Sequence, residues 1–575
     1  MGNLKDVQKI TKTGYPSIDK PWLKYYTESA RNSRLSSKTM YKYLFDKNAD
    51  HMDQTALLYF GRNISYKELI ENIKRAASSF YKMGVRKGDV VSFCTVTVPE
   101  VIYSFYGLNM IGAIGNMIDP RTSVEGIAEY IKESNSNYLI ILDVLQSRLK
   151  DLINDEIIKK AIVISPADSM PGVMSFFYKL AKHYNVIDNK CVVWKEFFNI
   201  GKDFAFEGRP YEKGLPVSIM HTGGTTGNPK GVLFSDDGYN HLNDEFAHYR
   251  MEPKRGEIFL NIMPPFIAYG MAVGIHEMLC CGSKVVLIPR FDPEKFDSLI
   301  IKYKPQHFWG VPTHLDGLRF SKKLFNADLS YLITAGVGGD AIKKESEIAI
   351  NQFLKKHDCS YCVTKGYGMT EVNSAVCACD DLHNEVGSVG IPLIHSVIAA
   401  FEPGTHNELK YGERGEICIH TPSVMLGYLN KPDETKSILQ KHPDGLLWVH
   451  SGDIGYVTEE GYVYIVDRMK RMIIREDGFK VYPSVIENVI CECTGVRDCA
   501  VVGIRNEKYS QGVNPKAFIT MQEKAEDSGK IIKEIQEICK EKLAEYMIPV
   551  EIEILNELPL TKVGKIDYKV LEASD

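Results

Sequence analysis

The chain lacks the segments that commonly direct a protein into a membrane or out of the cell. Its N-terminal stretch MGNLKDVQKITKTGYPSIDKPW contains no apolar run of signal-peptide length. Asp6 stands where an N-myristoylation signal after Gly2 requires Ser or Thr. The most apolar stretch, MAVGIHEMLCCGSKVVLIP, is interrupted by His276 and by charged residues, so it predicts a buried helix followed by a strand. These absences predict a soluble, cytoplasmic protein.

The chain also lacks an excess of charge of either sign. Its 69 Lys and Arg residues face 74 Asp and Glu residues, which leaves a net charge of -5. No overall field gathers a polyanion, so nucleic acid is excluded as a partner and any bound anion must be held by local groups. Hydrophobic residues make up 44% of the sequence, and this composition predicts that the chain folds throughout.

The thirteen cysteines follow no regular framework. An odd number in a chain without a signal peptide predicts reduced thiols in the cytosol. Four of them have a spacing similar to that of zinc ligands: Cys359, Cys362, Cys377 and Cys379. The C-x-C pair fits poorly with the usual two-residue ligand knuckle, and small buried side chains on neighbouring strands explain the pattern as well. We therefore expect no structural metal at these cysteines.

Hydrophobic periodicity predicts a multi-layer α/β body. Ser65 and Glu68 form a capping-box pattern, and apolar residues then recur at helical spacing up to Gly84. The segments GDVVSFCTV, YLIILD and AIVIS read as strands and EVIYSFYGLNMIG as a helix, which predicts βαβ units on a parallel sheet. The same alternation resumes through KVVLIP, DSLIIKY and YLITAG. Because 575 residues exceed what one core fills, a further domain is expected.

The composition of the sequence changes near residue 467. There the segment YVYIVDRMKRMIIREDGFKVYP crowds Lys and Arg among apolar residues, and a shorter α+β segment follows it to the C-terminus. We place the boundary at Arg468 to Lys470. This predicts a large N-terminal domain of residues 1–467 and a small, mobile C-terminal domain of residues 468–575.

One stretch of the predicted first domain mixes aromatic and basic residues. This stretch, MSFFYKLAKHY at residues 174–184, suits a helix lying on a membrane surface. It also suits a solvated helix with one packed face. We expect at most a peripheral membrane contact.

The most unusual stretch is HTGGTTGNPKG at residues 221–231. The flanking segments VSIM and VLFS read as strands, so it is a strand-to-strand turn, unlike the strand-to-helix turn of a Walker P-loop. Glycines let backbone N–H groups approach an anion, threonines add hydroxyl donors and Lys230 adds a charge. The composition by itself fits both a phosphate-binding loop and a flexible surface hairpin.

Six motifs in a fixed order decide between these interpretations. They are HTGGTTGNPKG, KGYGMTE at 365–371, SGDIG at 451–455, VDRMKRMI at 466–473, GFKVYP at 478–483 and LPLTKVGKI at 558–566. Together they resemble the adenylate-forming superfamily of acyl-CoA synthetases, adenylation domains of peptide synthetases and beetle luciferases. The resemblance covers about residues 40 to 572. It implies that a carboxylate attacks the α-phosphorus of ATP to give an acyl-adenylate and pyrophosphate, after which a thiol displaces AMP.

The resemblance also implies which residues bind the nucleotide. Tyr367 would stack on adenine and Asp453 would accept hydrogen bonds from both ribose hydroxyls. Glu371 and Thr226 would hold Mg2+, and the hydroxyl of Thr370 would contact phosphate. The full set of ATP and AMP contacts so implied is Thr222, Gly223, Gly224, Thr225, Thr226, Gly227, Lys230, Gly336, Val337, Gly338, Tyr367, Gly368, Met369, Asp453 and Arg468.

A lysine near the C-terminus matches the catalytic position of the superfamily. The ammonium of Lys565 would bridge the substrate carboxylate and the α-phosphate, so that two like charges can meet. Together with Thr370 and Glu371 it forms the implied catalytic set. Because Lys565 belongs to the small domain, that domain must move, and Lys470 matches the hinge. Gly478 would leave room for the pantetheine arm of CoA.

The predicted acyl pocket is apolar. Amino-acid-activating members of the superfamily place an Asp at the position of Ile267, so an α-amino acid is disfavoured because its ammonium would have no partner. An aliphatic or aryl acid suits the implied lining, which consists of Ile267, Ala268, Met271, Trp309, Gly310, Ile333, Ala335, Gly366 and Ser374. The segments YPSIDKPWLKYY, TGGTTG and GFKVYPSVIENVI look similar to those of bacterial medium- and long-chain fatty acyl-CoA synthetases.

These features predict an ATP-dependent, AMP-forming ligase that joins a fatty acid to CoA. The alternative is a stand-alone adenylating enzyme that loads an aryl or aliphatic acid onto the phosphopantetheine of a carrier protein. No carrier domain follows residue 575, so that thiol would come from another chain. A nucleotide-binding regulator without chemistry is disfavoured, because Lys565 and Glu371 are both present.

Overall fold

The computed structural model describes residues 12–182, 189–222, 229–475, 480–505, 513–522, 528–560 and 566–573. Its helices cover the faces of several sheets. In chain order the α-helices are Pro16–Asp19, Glu28–Arg31, Met40–Asn48, Tyr66–Lys82, Pro99–Ile111, Val124–Glu133, Lys150–Asn154, Gly172–Lys182, Trp194–Ile200, Asp236–Phe246, Met278–Cys281, Phe296–Tyr303, Pro312–Arg319, Lys344–Lys356, Pro432–Ile438, Pro483–Cys491, Ser528–Lys542 and Tyr568–Ala573.

The first sheet has eight strands and a parallel centre. Their spatial order is Gly427–Tyr428, Gly231–Ser235, Pro216–His221, Ile114–Ile118, Val90–Cys94, Tyr138–Leu142, Lys160–Ile164 and Cys191–Val193. The six strands from Pro216–His221 onward run parallel to one another. Every residue of Tyr138–Leu142 is buried, which explains its continuous apolar sequence between two layers of helices. The strands predicted from GDVVSFCTV, YLIILD and AIVIS are confirmed.

The second sheet has nine strands and again a parallel centre. Their spatial order is Ile391–Pro392, Cys377–Ala378, Thr364–Tyr367, Thr334–Val337, His307–Gly310, Ile258–Asn261, Lys284–Leu287, Thr55–Tyr59 and Arg62–Ser65. The six strands from Thr364–Tyr367 to Thr55–Tyr59 are parallel, and antiparallel pairs close both edges. The predicted alternation through KVVLIP, DSLIIKY and YLITAG is confirmed.

The long helix Tyr66–Lys82 shows how local sequence sets these layers. Ser65 caps it by accepting from the backbone N–H of Glu68 at 3.1 Å. The carboxylate of Glu68 pairs with Arg62, so the reciprocal half of the capping box is replaced by an ion pair. The helix packs closely on Pro99–Ile111, because a Cβ at Gly107 would lie only 2.9 Å from the backbone nitrogen of Ala77.

A third sheet is entirely antiparallel. Its strands lie in the order Val397–Phe401, Gly415–His420, Leu447–Val457 and Leu439–Lys441, and Val463–Arg468 also pairs with Leu447–Val457. Trp448 is fully buried between this sheet and the N-terminal segment that carries Trp22. Its last strand, Val463–Arg468, ends where the composition of the sequence changes.

The remaining residues form a smaller α+β part with a hydrophobic cluster of its own, built between Ile473 and Met547. Its strands are Ile473–Ile474 paired with Lys480–Val481, and the three-stranded sheet Val496–Arg505, Val513–Met521 and Glu551–Leu555. The predicted class, a large α/β part followed by a small α+β part, is confirmed. The proposed boundary at Arg468 to Lys470 falls where Val463–Arg468 gives way to a single turn, Met469–Arg471.

The most apolar stretch of the sequence forms a buried helix and a strand, as predicted. Residues Tyr269–Glu277 wind as a π-helix that continues into Met278–Cys281, and Lys284–Leu287 then enters the second sheet. In the part of the chain that the structure describes, the helices fall short of the length and apolarity that crossing a bilayer requires.

The four cysteines with zinc-like spacing lie on neighbouring segments. Cys377 and Cys379 are fully buried, whereas Cys362 is exposed. The thiol of Cys359 donates to the carbonyl of Leu332 at 3.3 Å. Burial is the main cause of the raised pKa of the Cys379 thiol, which is about 11. This thiol therefore stays protonated at neutral pH.

The predicted aromatic helix is present and presents apolar side chains to solvent. In Gly172–Lys182, Phe176 and Phe177 are 65% and 63% exposed, and Val173 and Leu180 are exposed as well. Lys179 on the same helix pairs with Asp168 at 3.4 Å. The helix therefore offers an apolar face, as either a membrane contact or a contact with another surface would require.

Replacing both Phe176 and Phe177 by Ser tests whether this face is free in the protein in solution. We expect each exposed substitution to change the free energy of unfolding by less than about 0.5 kcal/mol, as measured by thermal unfolding. The control Phe197→Ser removes a fully buried ring and should cost about 3 to 5 kcal/mol. A loss in the double variant as large as that of the control would mean that the face is covered.

Candidate active site

The candidate site lies at the carboxyl ends of the central strands of the second sheet, where this sheet meets a hairpin of the first sheet. The strands His307–Gly310, Thr334–Val337 and Thr364–Tyr367 are parallel, so their carboxyl ends reach the same edge. The hairpin of Pro216–His221 and Gly231–Ser235 carries the glycine-rich turn. The sequence motifs therefore converge although they are far apart in the chain.

The base of the glycine-rich turn is closed by two hydrogen bonds. The N–H of Thr222 donates to the carbonyl of Lys230 at 3.0 Å, and the N–H of Lys230 donates to the Thr222 hydroxyl at 3.0 Å. Both ends of the predicted phosphate loop are thus fixed on strands. The predicted contacts at its tip lie outside the described residues: Gly223, Gly224, Thr225, Thr226 and Gly227.

The side chain of Lys230 is held at the mouth of this turn. Its ammonium forms an ion pair with Glu434 and lies 4.7 Å from the centroid of the Tyr428 ring. Lys230 and Glu434 are both partly exposed, and such ion pairs contribute little free energy because water screens them. The ammonium can therefore exchange its carboxylate partner for phosphate oxygens.

Glu371 provides a buried carboxylate next to this lysine. It is 7% exposed, and the Tyr428 hydroxyl donates to its Oε1 at 2.6 Å. The backbone N–H of Met425 donates to the Glu371 carbonyl at 2.9 Å, which fixes the residue further. A carboxylate accepts at several lone pairs, so one tyrosine leaves capacity for a hard cation such as Mg2+. Thr370 begins the short turn Thr370–Val372 beside it.

Tyr367, Asp453 and Arg468 form the second polar group of the site. The Tyr367 hydroxyl donates to Asp453 Oδ2 at 2.6 Å, and Arg468 Nε lies 2.9 Å from Asp453 Oδ1. The Asp453 N–H donates to the Ser451 hydroxyl at 3.0 Å. Burial raises the pKa of Asp453, whereas Arg468 and Tyr367 act in the opposite direction. Both carboxylate oxygens of Asp453 are therefore oriented before a ligand binds.

Two glycines among the predicted nucleotide contacts are required by close packing. A Cβ at Gly336 would lie 1.9 Å from Cε3 of Trp309, so the indole packs directly on the backbone. A Cβ at Gly368 would lie 1.8 Å from the Ser374 carbonyl oxygen. Val337 turns its side chain into a hydrophobic cluster that also contains Phe308 and Ala335, here called the second hydrophobic cluster. Only the backbone of Val337 can therefore face a ligand. Gly338 and Met369 lie directly beside these positions in the chain.

Ser374 has unusual backbone geometry for a residue of a predicted pocket. Its φ is 106°, a value that only glycine adopts without strain, whereas the φ of Asn373 is 57°, in the left-handed region that asparagine tolerates. The strain is compensated, because the Asn373 side chain donates to the Gly238 carbonyl at 2.7 Å and the Ser374 N–H donates to the Met369 carbonyl at 3.1 Å. The segment after Glu371 is thus held in one conformation.

Most of the predicted acyl-pocket residues share one apolar environment. Trp309 and Met271 belong to the largest hydrophobic cluster, and Ile267 and Ile333 pack against it. Ala268 and Gly310 are buried on the adjoining segments, and Gly366 and Ser374 are half-buried near the carboxyl end of Thr364–Tyr367.

Ala335 lies in the second hydrophobic cluster, together with Phe308 and Val337, and Ile267 packs against this cluster as well as against the largest one. Successive residues of a strand point to opposite faces, so Ala335 faces away from Gly336. Its assignment to the acyl pocket stays a prediction.

Two further predicted residues lie outside the described part of the chain: Lys565 and Gly478. The neighbour of Lys565, Ile566, pairs with Leu560 in an antiparallel bridge. The predicted hinge residue Lys470 lies in the turn Met469–Arg471, directly after Arg468.

Sequence reasoning missed Tyr428 and Glu434. Both contact residues of the motifs, since Tyr428 holds Glu371 and Glu434 pairs with Lys230. Tyr428 lies in the two-residue strand Gly427–Tyr428, which joins the edge of the first sheet. A strand of two residues has no period that a sequence pattern could reveal.

Comparison with known proteins agrees with this geometry. Residues 44–429 match the AMP-binding enzyme family, and residues 485–565 match the AMP-binding enzyme C-terminal domain. A long-chain-fatty-acid–CoA ligase of Bacillus subtilis (strain 168) is 29% identical over 557 residues, covering 95% of this chain and 96% of that protein. A probable 4-coumarate–CoA ligase 1 of Dictyostelium discoideum is 27% identical over 570 residues, covering 95% and 97%.

Solved structures share the fold. The ATP-bound MatB from Rhodopseudomonas palustris has a TM-score of 0.80 at 22% identity, covering 94% of this chain and 99% of that chain. The anthranilate CoA ligase AuaEII in complex with anthranoyl-AMP also has a TM-score of 0.80, at 20% identity, covering 95% and 98%. Similarity at these identities shows a common fold.

Replacing Asp453 by Asn tests the second polar group. The amide loses the charge that pairs with Arg468 and one of its two acceptor oxygens, so we expect ATP affinity to fall by about 10-fold or more. Tyr367→Phe keeps the ring and removes only the hydroxyl that orients Asp453, so its loss should be smaller. Equilibrium binding of ATP measures both. Unchanged affinity in Asp453→Asn would contradict a role in holding ribose.

Proposed function

The chain belongs to the AMP-binding enzyme family, and from that premise we propose that this AMP-forming acid:CoA ligase acts on fatty acids of medium or long chain. Its substrates are a carboxylic acid, ATP and CoA, and its metal is Mg2+. The observation that carries the choice of acid is the apolar wall beside the nucleotide residues. There Trp309 packs on Gly336 and shares one hydrophobic cluster with Met271.

The apolar residue at position 267 supports the same choice of acid. Ile267 packs against the hydrophobic cluster at the position where amino-acid-activating relatives carry an Asp. A substrate ammonium buried there would lose its hydration without gaining a partner. A fatty acid brings only a carboxylate head and an apolar tail, and the tail matches the residues of this wall.

In the first step, a carboxylate oxygen of the acid attacks the α-phosphorus of ATP, and the bond from that phosphorus to the bridging oxygen breaks, so pyrophosphate leaves. Asp453, oriented by Tyr367 and Arg468, fixes the ribose. Lys230 exchanges Glu434 for phosphate oxygens at the mouth of the glycine-rich turn. Glu371 and Thr226 would hold Mg2+, which would neutralise phosphate charge.

The second step is transfer of the acyl group to a thiol. The sulfur of CoA attacks the acyl carbon of the adenylate, the bond to the AMP oxygen breaks, and AMP leaves. We assign residues 1–467 and 468–575 to two domains that move relative to each other between these steps. Lys470 is the hinge, Lys565 serves the first step, and Gly478 lines the path of the pantetheine arm in the second.

A carrier-protein acceptor is the second candidate. The phosphopantetheine arm of a carrier protein ends in the same thiol as CoA, so the same site serves either. The similarity to both fatty-acid–CoA and 4-coumarate–CoA ligases keeps aryl acids among the candidates for the acid.

A pyrophosphate-release assay across fatty, aryl and amino acids tests the proposed substrate. Each acid is supplied with and without CoA, and thioester formation is measured in parallel. We expect fatty acids of medium or long chain to give the highest kcat/KM, with thioester formed only when CoA is present. A preference for aryl acids, or pyrophosphate release that CoA does not turn into thioester, would contradict the proposal.

Replacing Lys565 by Ala tests its assignment to the first step. We expect acyl-adenylate formation to fall by about 100-fold or more, because the ammonium no longer screens the two negative groups. Transfer to CoA from a supplied acyl-adenylate should stay within about twofold of the wild type. The control Lys569→Ala removes an exposed lysine of the same tail and should leave both steps unchanged. Equal losses in both steps of Lys565→Ala would refute the assignment.

Replacing Trp309 by Ala tests the apolar wall. The deletion opens space above Gly336, so we expect the chain-length or ring-size optimum to move toward bulkier acids, while the KM for ATP stays within about twofold. Trp309→Phe keeps an aromatic ring against Gly336 and should retain the original preference. The ratio of kcat/KM between a long and a short acid measures the change. An unaltered ratio in Trp309→Ala would show that the acid binds elsewhere.

A further inference from the structure

Three histidines that none of the six motifs includes converge on the third sheet. His406 lies in the turn after Val397–Phe401, His442 follows Leu439–Lys441, and His450 lies within Leu447–Val457. One ring nitrogen from each lies within 4.8 Å of the others. Nε2 of His442 is 2.9 Å from Nε2 of His450, and the rings of His406 and His442 stack with their centroids 4.2 Å apart.

A carboxylate orients one of these rings. Oε2 of Glu416 lies 2.9 Å from Nδ1 of His450, and both side chains are buried. This contact places the proton on Nδ1 and leaves the lone pair of Nε2 directed at His442. A carboxylate behind a histidine in this way is the usual outer partner of a metal-binding imidazole. Oε1 of Glu416 is held in turn by the N–H of Gly452 at 3.1 Å.

The second histidine carries an uncompensated polar atom. His442 is 5% exposed, and its Nδ1 is buried without a hydrogen-bond partner among the described residues. Its ring is confined by Phe401 and Trp448, with centroids at 4.8 and 5.6 Å, so it has little freedom to turn toward water. A buried imidazole nitrogen that lacks a partner costs free energy.

We propose that His406, His442 and His450 bind one first-row transition-metal ion of the Zn2+ type. Three imidazoles are a ligand set that Zn2+, Cu2+ and Ni2+ accept, and Mg2+ does not prefer. His406 is exposed, so water reaches the ion from that side and completes a tetrahedral site. Glu416 is a positioning residue that acts through His450.

A neighbouring set of ligands competes with this assignment. Cys418, Glu416 and His450 also have donor atoms within 4.8 Å of one another, with Cys418 Sγ 3.6 Å from Nδ1 of His450. That set would need the Nδ1 atom that Glu416 already holds. The geometry therefore favours the three imidazoles.

The ion would join three segments that side-chain contacts already bring together, since Nε2 of His406 lies 3.0 Å from Oε1 of Gln440 and Nε2 of His442 lies 2.9 Å from Nε2 of His450. His406 belongs to a surface turn, whereas His442 and His450 belong to the two arms of a hairpin whose strands pair at Leu439 with Val449. An ion bound to all three stabilises the folded chain, since the unfolded chain does not present the site. This inference does not depend on the proposed acid substrate.

Metal titration of the full-length protein tests the inference. The protein is stripped with EDTA, dialysed, and titrated with Zn2+ by calorimetry and with Co2+ by visible absorption. We expect one Zn2+ per chain, a rise in Tm of several degrees, and a Co2+ spectrum of tetrahedral type without a thiolate charge-transfer band. A strong thiolate band would overturn the three-histidine assignment.

Variants locate the ion. His406→Ala alters an exposed residue, so it should fold normally and weaken Zn2+ affinity by about 100-fold, and Glu416→Gln should weaken it by about 10-fold. The matched control His420→Ala removes a histidine of the same sheet that donates to the Leu447 carbonyl at 3.0 Å, and it should bind like the wild type. Zn2+ binding in His406→Ala that equals the wild type in affinity and stoichiometry would refute the proposal.

Discussion

The hydrogen bond from Tyr428 to Glu371 is the contact on which the geometry of the site depends. Tyr428 belongs to the edge of the first sheet, whereas Glu371 follows a strand of the second. The bond of 2.6 Å therefore joins two separately built sheets beside the base of the glycine-rich turn. The ring of the same tyrosine also supports Lys230, so one residue sets the position of both charges.

The rest of the site is built from backbone that approaches closely and from side chains that are fixed in advance. Gly336 lets the indole of Trp309 pack on the strand, and the strained Ser374 is held by hydrogen bonds on both sides. Asp453 accepts from Tyr367 and pairs with Arg468. Such preorganisation reduces the reorganisation that the reaction would otherwise require. An apolar wall and an oriented polar group thus lie side by side.

Much of this architecture could be predicted from the sequence. The helix Tyr66–Lys82 and the buried strands follow from periodicity, and the six motifs indicate the family because their order is specific. Tyr428 and Glu434 could not be found in this way, because their partners are distant in the chain. The three histidines were also missed, since their ring nitrogens meet only through the pairing of the third sheet.

The position of Arg468 has a mechanical consequence. Its guanidinium is paired with the carboxylate of Asp453, and its backbone ends the strand from which the chain turns toward the smaller part. In the proposed reaction cycle, a ribose that takes over that carboxylate would free Arg468, which directly precedes the turn that carries the proposed hinge residue Lys470.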